Sequence, residues 1–422
     1  MKIFIKTYGC TLNQADSELI ENILENGKNT VTGNIKDSDI VIVNTCTVKK
    51  VTEQKILSFL ETLKSQNKKI IVTGCLATAN KDLINKYNPD ASIVSTVNIN
   101  RITDAVDLVS KNKKALFDNY NKLDKLIYFK PHKKVIARIP IGEGCLNNCS
   151  FCETRYARGL LNSFSENLIF KAVKQSLDAG AKEIRLTAQD TGCYGFDKKT
   201  NIINLVNKIL KIDYDFKLRL GMMNPEYLGK FLEPLIEILQ NEKMYKFIHL
   251  PLQSGSNKVL KDMRRKYTVE QVYEYINFIR KHIKNITIET DIIVGFPTET
   301  NNDFNQTVDA IKKIKPEAIN ISRFGLRPHI KKLGQLNQKI VKERTNEISR
   351  IARDIRYNNN KRFMNKNIRI LITEQTNTSI NGRTDMYKEV IIKNATKDLI
   401  GTYQQIKVEL VSANALYGSL VN

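Results

Sequence analysis

The sequence predicts an α/β protein of three domains: a small parallel α/β domain at residues 1–118, a partial or full parallel (β/α) barrel at 135–361, and a small β-barrel at 362–422. Apolar runs alternate with amphipathic stretches through the first two segments, as in parallel sheets that are covered on both faces. The polar, Lys-rich stretch at 119–134 indicates a linker between them. Short strands follow in the last 60 residues and favour an all-β domain.

The first segment repeats the order strand, cysteine, helix. Helical stretches are predicted at Asn13–Asn26, Thr52–Ser65 and Asp82–Tyr87. A cysteine stands at the end of each of three predicted strands, and these are Cys10, Cys46 and Cys75. Because the carboxyl ends of parallel strands meet at one edge of a sheet, we expect the three thiols to form one cluster site there. The alternative is that they are ordinary buried thiols, since cysteine is a common core residue.

The second segment contains six predicted strands separated by amphipathic stretches. The strands lie near 135–141, 183–188, 216–221, 246–252, 286–294 and 318–324. Six such units suggest a partial or full barrel, whose ligand sites form at the carboxyl ends of the strands. A strongly charged helix is predicted at about 339–363.

Three cysteines, Cys145, Cys149 and Cys152, lie on the loop after the first barrel strand. Three thiolates hold three irons of a 4Fe–4S cluster and leave the fourth iron open. An open iron can chelate the amine and carboxylate of S-adenosylmethionine (SAM), whose cleavage yields a radical. A zinc site is the alternative, although structural zinc usually takes four protein ligands. The remaining Cys193 has no thiol neighbour in sequence, and we expect it to be structural.

Composition favours a polyanionic partner, nucleic acid first. The net charge is +23, from 67 Lys and Arg against 44 Asp and Glu, and such an excess suits phosphate binding. A Lys-rich solvated surface is the alternative, because the basic residues are spread along the chain. Seven cysteines, an odd number, argue against a disulfide framework. No apolar run reaches the roughly 18 residues of a membrane helix, and Met1–Lys6 indicates a strand rather than a signal peptide. We therefore expect a soluble, cytoplasmic protein.

The last 60 residues predict a small β-barrel. Its strands are expected at Ile368–Thr373, Val390–Lys393, Tyr403–Glu409 and Leu416–Val421. Turns are expected at Asn381-Gly382 and at Gly401.

Taken together, these motifs resemble the radical SAM methylthiotransferase family along essentially the whole chain. The matching segments are Thr7–Cys10 with Asn13, Asp16 and Glu18, Asn44–Cys46, Gly74-Cys75, Cys145–Gly159, His249–Ser256, Thr290–Pro297 and Asn381–Thr384. The last of these resembles the family's TRAM domain, which binds RNA. Within the family, Thr154–Gly159 and Asp190–Gly195 resemble the archaeal and eukaryotic branch, which acts on N6-threonylcarbamoyladenosine at position 37 of tRNA.

The resemblance implies two 4Fe–4S clusters, with SAM as both radical source and methyl donor. Cys145, Cys149 and Cys152 would hold the radical-generating cluster, and the N-terminal trio would hold the cluster that carries or donates sulfur. It implies three partners: the anticodon loop of tRNA, an electron donor such as a ferredoxin or flavodoxin, and a sulfur source. The same chemistry on isopentenyladenosine-37 or on a ribosomal protein side chain stays open, as does a non-catalytic iron–sulfur RNA-binding protein.

Contacts to SAM are expected from the carboxyl ends of the barrel strands. The candidates are Gln189, Asp190, Gln253, Ser254, Arg265 and Asp291. Arg265 would pair with the SAM carboxylate, and each candidate has an alternative as an ordinary strand-end or surface polar group. A core role is the better interpretation of His249, which stands inside an apolar strand.

Two arginines, Arg155 and Arg158, are candidates for the carboxylate of the threonylcarbamoyl group, since a guanidinium fork matches a carboxylate. The chain departs from the family pattern at Glu153, at Thr298 and at Arg327–Ile330. These departures put the fine shape of the substrate pocket in doubt and leave the six cluster cysteines untouched.

Overall fold

The N-terminal domain is a six-stranded parallel sheet in the order β2-β1-β3-β4-β5-β6. The computed structural model describes residues 1–119, 122–327, 334–376, 378–393 and 396–421. The strands are β1 (Lys2–Thr7), β2 (Thr30–Val31), β3 (Ile40–Thr45), β4 (Lys69–Gly74), β5 (Ser92–Val94) and β6 (Leu116–Phe117). The helices are α1 (Thr11–Asn26), α2 (Lys50–Ser65), α3 (Cys75–Ala79), α4 (Lys81–Tyr87) and α5 (Ile102–Ser110).

Strand β3 shows why this sheet forms. All six of its residues are buried, and its side chains alternate between two cores. Ile40 and Ile42 pack with the apolar faces of α1 and α5, whereas Val41 and Val43 pack with α2, α3 and α4. The continuous apolar run is therefore the pattern of a strand that is covered on both faces.

The central domain is a partial barrel of six parallel strands in two sheets, β11-β10-β7 and β12-β13-β14. A parallel bridge between Leu218 and Met244 joins the two sheets. Among the described residues no ladder connects β7 to β14, so the barrel stays open there. The strands are β7 (Ile136–Pro140), the short β8 (Gly142–Glu143) and β9 (Asn162–Ser163), β10 (Glu183–Thr187), β11 (Lys217–Leu220), β12 (Phe247–His249), β13 (Thr287–Val294) and β14 (Ala318–Arg323).

Helices cover the outside of this barrel and bury its largest apolar core. They are α7 (Glu166–Asp178), α8 (Ile202–Leu210), α9 (Pro225–Leu228), α10 (Leu232–Gln240), α11 (Asn257–Asp262), α12 (Val269–His282), α13 (Asn301–Ile314) and α14 (Gln338–Lys361). The short α6 (Thr154–Arg158) packs instead on α3 of the N-terminal domain. None of the helices in the described part of the chain has the length and apolar character that crossing a membrane requires.

The segment predicted as a linker is docked rather than free over its described residues 122–134. Lys125–Tyr128 forms a 3-10 turn in which Lys125 and Leu126 are buried. Asp124 accepts a hydrogen bond from the backbone of Ser165, and the carbonyl of Lys130 accepts one from Asn22. The segment therefore contacts both domains that it joins.

The C-terminal domain is a closed five-stranded barrel in the order β15-β16-β17-β19-β18. Its strands are β15 (Asn367–Gln375), β16 (Ser379–Thr384), β17 (Glu389–Lys393), β18 (Tyr403–Val411) and β19 (Leu416–Leu420). The turn predicted at Asn381-Gly382 is wrong, because both residues lie inside β16 and pair with β17. A Cβ on Gly382 would stand 2.7 Å from the Leu371 carbonyl oxygen, so the glycine serves close strand packing.

Candidate functional site

The N-terminal thiols meet at the carboxyl ends of β1, β3 and β4, which are neighbours in the sheet. Asn13 marks the meeting point, because its Oδ1 lies 3.9 Å from Cys10 Sγ and 3.7 Å from Cys75 Sγ. Its Nδ2 donates to the carbonyls of Tyr8 and Thr45 at 2.8 and 2.7 Å, which fixes the amide in place. Cys10 and Cys75 thus lie around one amide, and Cys46 follows β3, the strand between β1 and β4, at the same edge of the sheet.

Glycines before two of these cysteines allow the close approach. Gly9 has φ +105°, and a Cβ there would stand 2.9 Å from Cys46 Sγ. Gly74 has φ +88°, and a Cβ there would stand 2.4 Å from the Thr45 carbonyl oxygen. A left-handed backbone favours glycine, and a side chain at either position would collide with its neighbours. The thiol site therefore requires glycine before Cys10 and before Cys75.

Arg158 enters this thiol site from the central domain. It ends α6, which packs on α3 at Cys75. Its Nε donates to Cys75 Sγ at 3.2 Å, and its Nη2 donates to Asn13 Oδ1 and Asp16 Oδ2 at 2.7 Å each. Nη1 donates to Glu143 Oε1 at 3.0 Å.

This placement argues against the substrate role predicted for Arg158. The side chain is 1% exposed, and carboxylate, amide and thiol groups of the protein engage its donors. A guanidinium so enclosed offers no fork to a substrate carboxylate.

Lys125 of the docked linker completes a buried group of four charges. Its Nζ lies 3.0 Å from Asp16 Oδ1 and 2.5 Å from Glu143 Oε2. Burial by itself would raise the pKa of Asp16, but Arg158 and Lys125 outweigh that effect and hold it below its usual range. The two positive and two negative groups therefore compensate one another at the junction of the two domains and the linker.

The cysteine loop of the central domain presents its sulfurs to protein donors. The backbone N–H of Asn147 points to Cys145 Sγ at 3.4 Å, and that of Thr154 points to Cys152 Sγ at 3.3 Å. Arg265 Nη1 donates to Cys149 Sγ at 3.1 Å. Such donors stabilise thiolates that bind a cluster.

A chain of hydrogen bonds connects two of these cysteines through residues at the strand ends. Arg265 Nη2 donates to Asn224 Oδ1 at 2.6 Å, and the Asn224 backbone donates to Asp190 Oδ1 at 3.1 Å. Asn147 Nδ2 lies 3.3 Å from Asp190 Oδ2 and 3.6 Å from Cys145 Sγ. Burial raises the pKa of Asp190 to about 6, although backbone hydrogen bonds from Asn224 and Gly192 and the charge of Arg265 oppose the shift. The structure therefore places the predicted Arg265 and Asp190 beside the loop.

The sequence analysis missed Asn147 and Asn224. Asn224 caps α9 by accepting from the Glu226 backbone, and the Asn-Pro pair after a barrel strand is a pattern from which that cap can be predicted. Nothing in the sequence identifies Asn147 beyond its position inside the cysteine loop.

Two further SAM candidates, Gln253 and Asp291, lie side by side on neighbouring segments. The Gln253 backbone donates to the Asp291 carbonyl at 2.8 Å, and Gln253 has φ +70°. The Asp291 carboxylate lies 3.1 Å from His249 Nε2 and accepts from Asn320 Nδ2 at 2.9 Å. Two carboxylates, those of Asp291 and of Glu289 at 3.8 Å from Nδ1, therefore flank the His249 ring inside the barrel.

Gln189 and Ser254 differ in their suitability for a cofactor. Gln189 Oε1 is buried without a hydrogen-bond partner among the described residues, and such an orphaned atom suits a ligand. Ser254 is fully buried, lies 3.3 Å from the Thr307 hydroxyl and accepts from the Ser256 backbone. The structure argues against a SAM contact by Ser254, because its hydroxyl serves the turn into α11.

Glu153 and Arg155 follow Cys152 at the start of α6. Arg155 is half-buried on α6 and stays a candidate for the substrate carboxylate. Glu153 is buried, and its Oε2 accepts from the Thr47 hydroxyl at 3.4 Å. The departure at Glu153 therefore faces the segment after Cys46. Of the departure at Arg327–Ile330, residues 328–330 lie outside the described ranges.

Cys193 has no thiol neighbour in the sequence, but the fold places it close to one. It is fully buried in the central core, donates to the Asp190 carbonyl at 3.3 Å and lies within hydrogen-bonding reach of Cys145. Its structural role stays a prediction.

The donor sets fit 4Fe–4S clusters better than single ions. Within the described ranges, no three His, Cys, Asp or Glu side chains converge closely enough to hold one metal ion. Zinc with ligands at about 2.3 Å needs such convergence, whereas the three cysteines of a cluster bind three separate irons. Burial raises the pKa of Cys75 to about 12 and that of Cys152 to about 11, so cluster binding releases protons from these thiols.

The fold and the cysteine loop at the strand ends of an open parallel barrel define a radical SAM protein. Three family models match the chain: Uncharacterized protein family UPF0004 at residues 2–96, the Radical SAM superfamily at 139–311 and the TRAM domain at 361–421. A probable threonylcarbamoyladenosine tRNA methylthiotransferase of Pyrococcus horikoshii is 38% identical over the full length of both chains. The human threonylcarbamoyladenosine tRNA methylthiotransferase is 34% identical over 89% of this chain and 66% of its own. The chain belongs to the family of threonylcarbamoyladenosine tRNA methylthiotransferases, and its cofactors are accordingly a 4Fe–4S cluster and SAM.

Two other similarities complete the comparison. A tRNA-2-methylthio-N(6)-dimethylallyladenosine synthase of Thermosipho africanus is 34% identical over 100% of this chain and 99% of its own. The structure of the radical SAM methyltransferase TsrM from Kitasatospora setae, with cobalamin and a 4Fe–4S cluster bound, aligns with a TM-score of 0.57 at 12% identity. It covers 78% of this chain and 76% of its own, and at that identity it supports the fold alone.

Proposed function

We propose that this protein converts N6-threonylcarbamoyladenosine at position 37 of tRNA to its 2-methylthio derivative. One observation carries the proposal: two sets of three cysteines lie on two domains, and the buried Arg158, six residues after Cys152 of one set, donates to Cys75 of the other. One set alone would suit many radical SAM reactions. A second iron–sulfur site beside the first suits a reaction that inserts sulfur as well as generating a radical.

The residues of the chain hold and orient the reacting groups. Cys145, Cys149 and Cys152 would bind the first cluster, with Arg265 donating to Cys149. When bound, the cluster and SAM supply the one-electron chemistry that breaking an aromatic C–H bond requires. The strand-end residues Gln189, Asp190, Gln253, Arg265 and Asp291 are the proposed contacts to SAM.

Cys10, Cys46 and Cys75 would hold the second proposed cluster, which would supply sulfur to the reaction. The fit rests on Asn13 between two of the thiols and on the glycines that admit them. A ferredoxin or flavodoxin as electron donor and a separate sulfur source are proposed partners, because the chemistry consumes electrons and sulfur.

Iron content tests the two-cluster proposal. Protein reconstituted without oxygen is expected to bind about eight irons, four for each 4Fe–4S cluster. Replacing Cys145, Cys149 and Cys152 by Ala is expected to leave about four, and replacing Cys10, Cys46 and Cys75 is expected to do the same. Full iron retention in either triple variant would show that the assigned thiols do not hold a cluster.

The C-terminal barrel is the proposed tRNA-binding domain. Its exposed basic residues include Arg369, Lys393, Lys397 and Lys407, which suit phosphate contacts. Arg369 lies over the Tyr403 ring at 4.1 Å, an arrangement that favours nucleotide stacking. An anticodon loop offers unstacked bases for recognition. The cytoplasmic location of the protein stays a prediction.

The substrate test offers three tRNA transcripts that differ only at position 37. They carry threonylcarbamoyladenosine, isopentenyladenosine or plain adenosine, and mass spectrometry of the nucleosides measures methylthiolation. Product is expected from the threonylcarbamoyl form. Preference for the isopentenyl form would favour the second candidate, which the Thermosipho relative supports. SAM cleavage without methylthiolation of any transcript would contradict both.

A further inference from the structure

Arg158 connects the segment that carries the first set of cysteines to a cysteine of the second set. It stands on α6, six residues after Cys152 of the first thiol set, and its Nε donates to Cys75 Sγ of the second set at 3.2 Å. Its Nη1 donates to Glu143, which precedes Cys145 by two residues. The guanidinium therefore connects the backbone on either side of the first thiol set to a ligand of the second.

The direction of the Nε–H bond is fixed by the other contacts. Nη2 donates to Asn13 Oδ1 and Asp16 Oδ2, both on α1, and Nη1 donates to Glu143. A planar guanidinium held at both terminal nitrogens cannot rotate. Nε–H is thus aimed at the Cys75 sulfur by partners from two domains.

We propose that Arg158 is a positioning residue for the sulfur-carrying cluster: it fixes the Cys75 ligand against the radical SAM loop and raises the reduction potential of the cluster through the N–H···S bond. The inference rests on the proposed function, because it assumes a 4Fe–4S cluster on Cys10, Cys46 and Cys75. It gives this buried arginine a part in the reaction other than binding the substrate.

The physical reason is the effect of donors on cluster potentials. Hydrogen bonds to the sulfurs and nearby positive charge stabilise the reduced cluster, which carries one more negative charge. The Arg158 side chain is 1% exposed and Cys75 is buried, and the low local dielectric strengthens their contact. The carboxylates of Asp16 and Glu143 offset the charge of Arg158, and Lys125 in turn offsets these carboxylates. The effect of Arg158 on the reduction potential therefore comes mainly from its direct N–H···S bond to Cys75.

A purely structural role is the competing explanation, since the same guanidinium belongs to the buried ion pairs between the domains. The substitution Asp16→Asn distinguishes this structural role from the proposed effect on the reduction potential. This change weakens the ion pairs on α1 but leaves Nε–H on Cys75 and removes a negative charge. It is expected not to lower the potential, whereas Arg158→Gln removes the donor and is expected to lower it.

The experiment uses the full chain with Cys145, Cys149 and Cys152 replaced by Ala, so that only the second cluster loads. Its midpoint potential is measured by electron paramagnetic resonance during a reductive titration. Arg158→Gln is expected to lower the ratio of reduced to oxidised cluster at a fixed potential roughly tenfold, which corresponds to about 59 mV for one electron. Asp16→Asn is expected to match or exceed the parent.

An unchanged potential in Arg158→Gln, or an equal drop in Asp16→Asn, would overturn the proposal. A background protein that binds no iron would instead overturn the second cluster itself, which is a distinct failure. Should Arg158→Gln fail to fold or load, the parent labelled with ¹⁵N-arginine decides. A ¹⁵N coupling to the reduced cluster that disappears in Arg158→Lys supports the contact, and its absence in the parent contradicts it.

Discussion

Four buried side chains at the junction of the domains compensate one another's charge. Asp16 comes from the first helix, Lys125 from the docked linker, and Glu143 and Arg158 from the central domain. Burying an ion costs several kcal/mol, and this cost is offset only when partners and hydrogen bonds are complete. The group is therefore sensitive to the loss of any one member, even though it adds little net stability when it is intact.

Lys125→Met tests this sensitivity at the linker. Lys125 is 1% exposed and is the member of the buried group that comes from the linker. Without its charge, the carboxylates of Asp16 and Glu143 share the single guanidinium of Arg158. We predict destabilisation of about 3–5 kcal/mol, measured by denaturant unfolding, with faster proteolysis within 119–134. The matched control is Lys134→Met, whose ion pair with Glu18 is 49% exposed on the lysine side, and about 1 kcal/mol or less is expected. Equal effects of the two changes would contradict the buried group.

At the scale of elements, the sequence carries most of the strand pattern because burial on both faces leaves continuous apolar runs. The six barrel strands and the cysteine-bearing ends of β1, β3 and β4 were predictable for this reason. Strand β16 was not, because Asn381-Gly382 is also the strongest short turn pattern. Only the pairing with β15 shows that Gly382 is there to admit the Leu371 carbonyl.

The burial and the partners of charged side chains were harder to predict than the helices and strands. Arg155 and Arg158 stand three residues apart on one short helix, and nothing local indicates that one is enclosed. The partner that encloses Arg158, Asp16, lies 142 residues earlier in the chain. Likewise Lys125 looks like a linker lysine until its two carboxylates are in place. Long-range charge pairing is a tertiary property that periodicity does not encode.

The C-terminal barrel is best tested by surface substitution. Deleting it would uncover the apolar and aromatic contacts of the central domain with Tyr387. We predict that replacing Arg369, Lys393, Lys397 and Lys407 by Gln weakens tRNA binding and flattens its salt dependence. Each lost phosphate contact is expected to reduce the slope of log K against log salt by about 0.7–0.9. Anaerobic SAM cleavage is the control and is expected to persist; unchanged tRNA affinity would contradict RNA binding by these residues.

At the scale of the whole molecule, the β16–β17 loop joins the C-terminal barrel to the central one. Tyr387, with φ +59°, packs its ring on Tyr245 and Phe247 at 4.8 and 5.0 Å between centroids. Asp385 pairs with Lys217 at 2.6 Å, and its carbonyl accepts from the Lys246 backbone. A left-handed tyrosine is uncommon, and the aromatic contacts are what stabilise it here.

Lys388 in this interface is expected to make the stability of the fold depend on pH. The side chain is buried, its Nζ donates to the Glu317 carbonyl at 3.2 Å, and burial lowers its pKa from 10.5 to about 8. Between these values the unfolded chain binds more protons than the folded one, so stability rises as pH increases from about 8 to about 10. Below pH 8 the cost of enclosing the charge is fully present and amounts to about 3 kcal/mol, at 1.36 kcal/mol for each pKa unit.

Lys388→Met is therefore expected to stabilise the protein at pH 7. Removing the charge gains about 3 kcal/mol, and losing the hydrogen bond to the Glu317 carbonyl costs about 1 kcal/mol, which leaves a gain of roughly 2 kcal/mol. The rise in stability between pH 8 and 10 is expected to disappear in the variant, since neither state then exchanges that proton. Denaturant unfolding at pH 7, 8, 9 and 10 measures both effects. Lys407→Met, on an exposed position of β18, is the control and is expected to keep the parent's pH profile. Loss of stability at pH 7 in Lys388→Met, with the rise above pH 8 retained, would show that Lys388 is not the group that titrates in this interface.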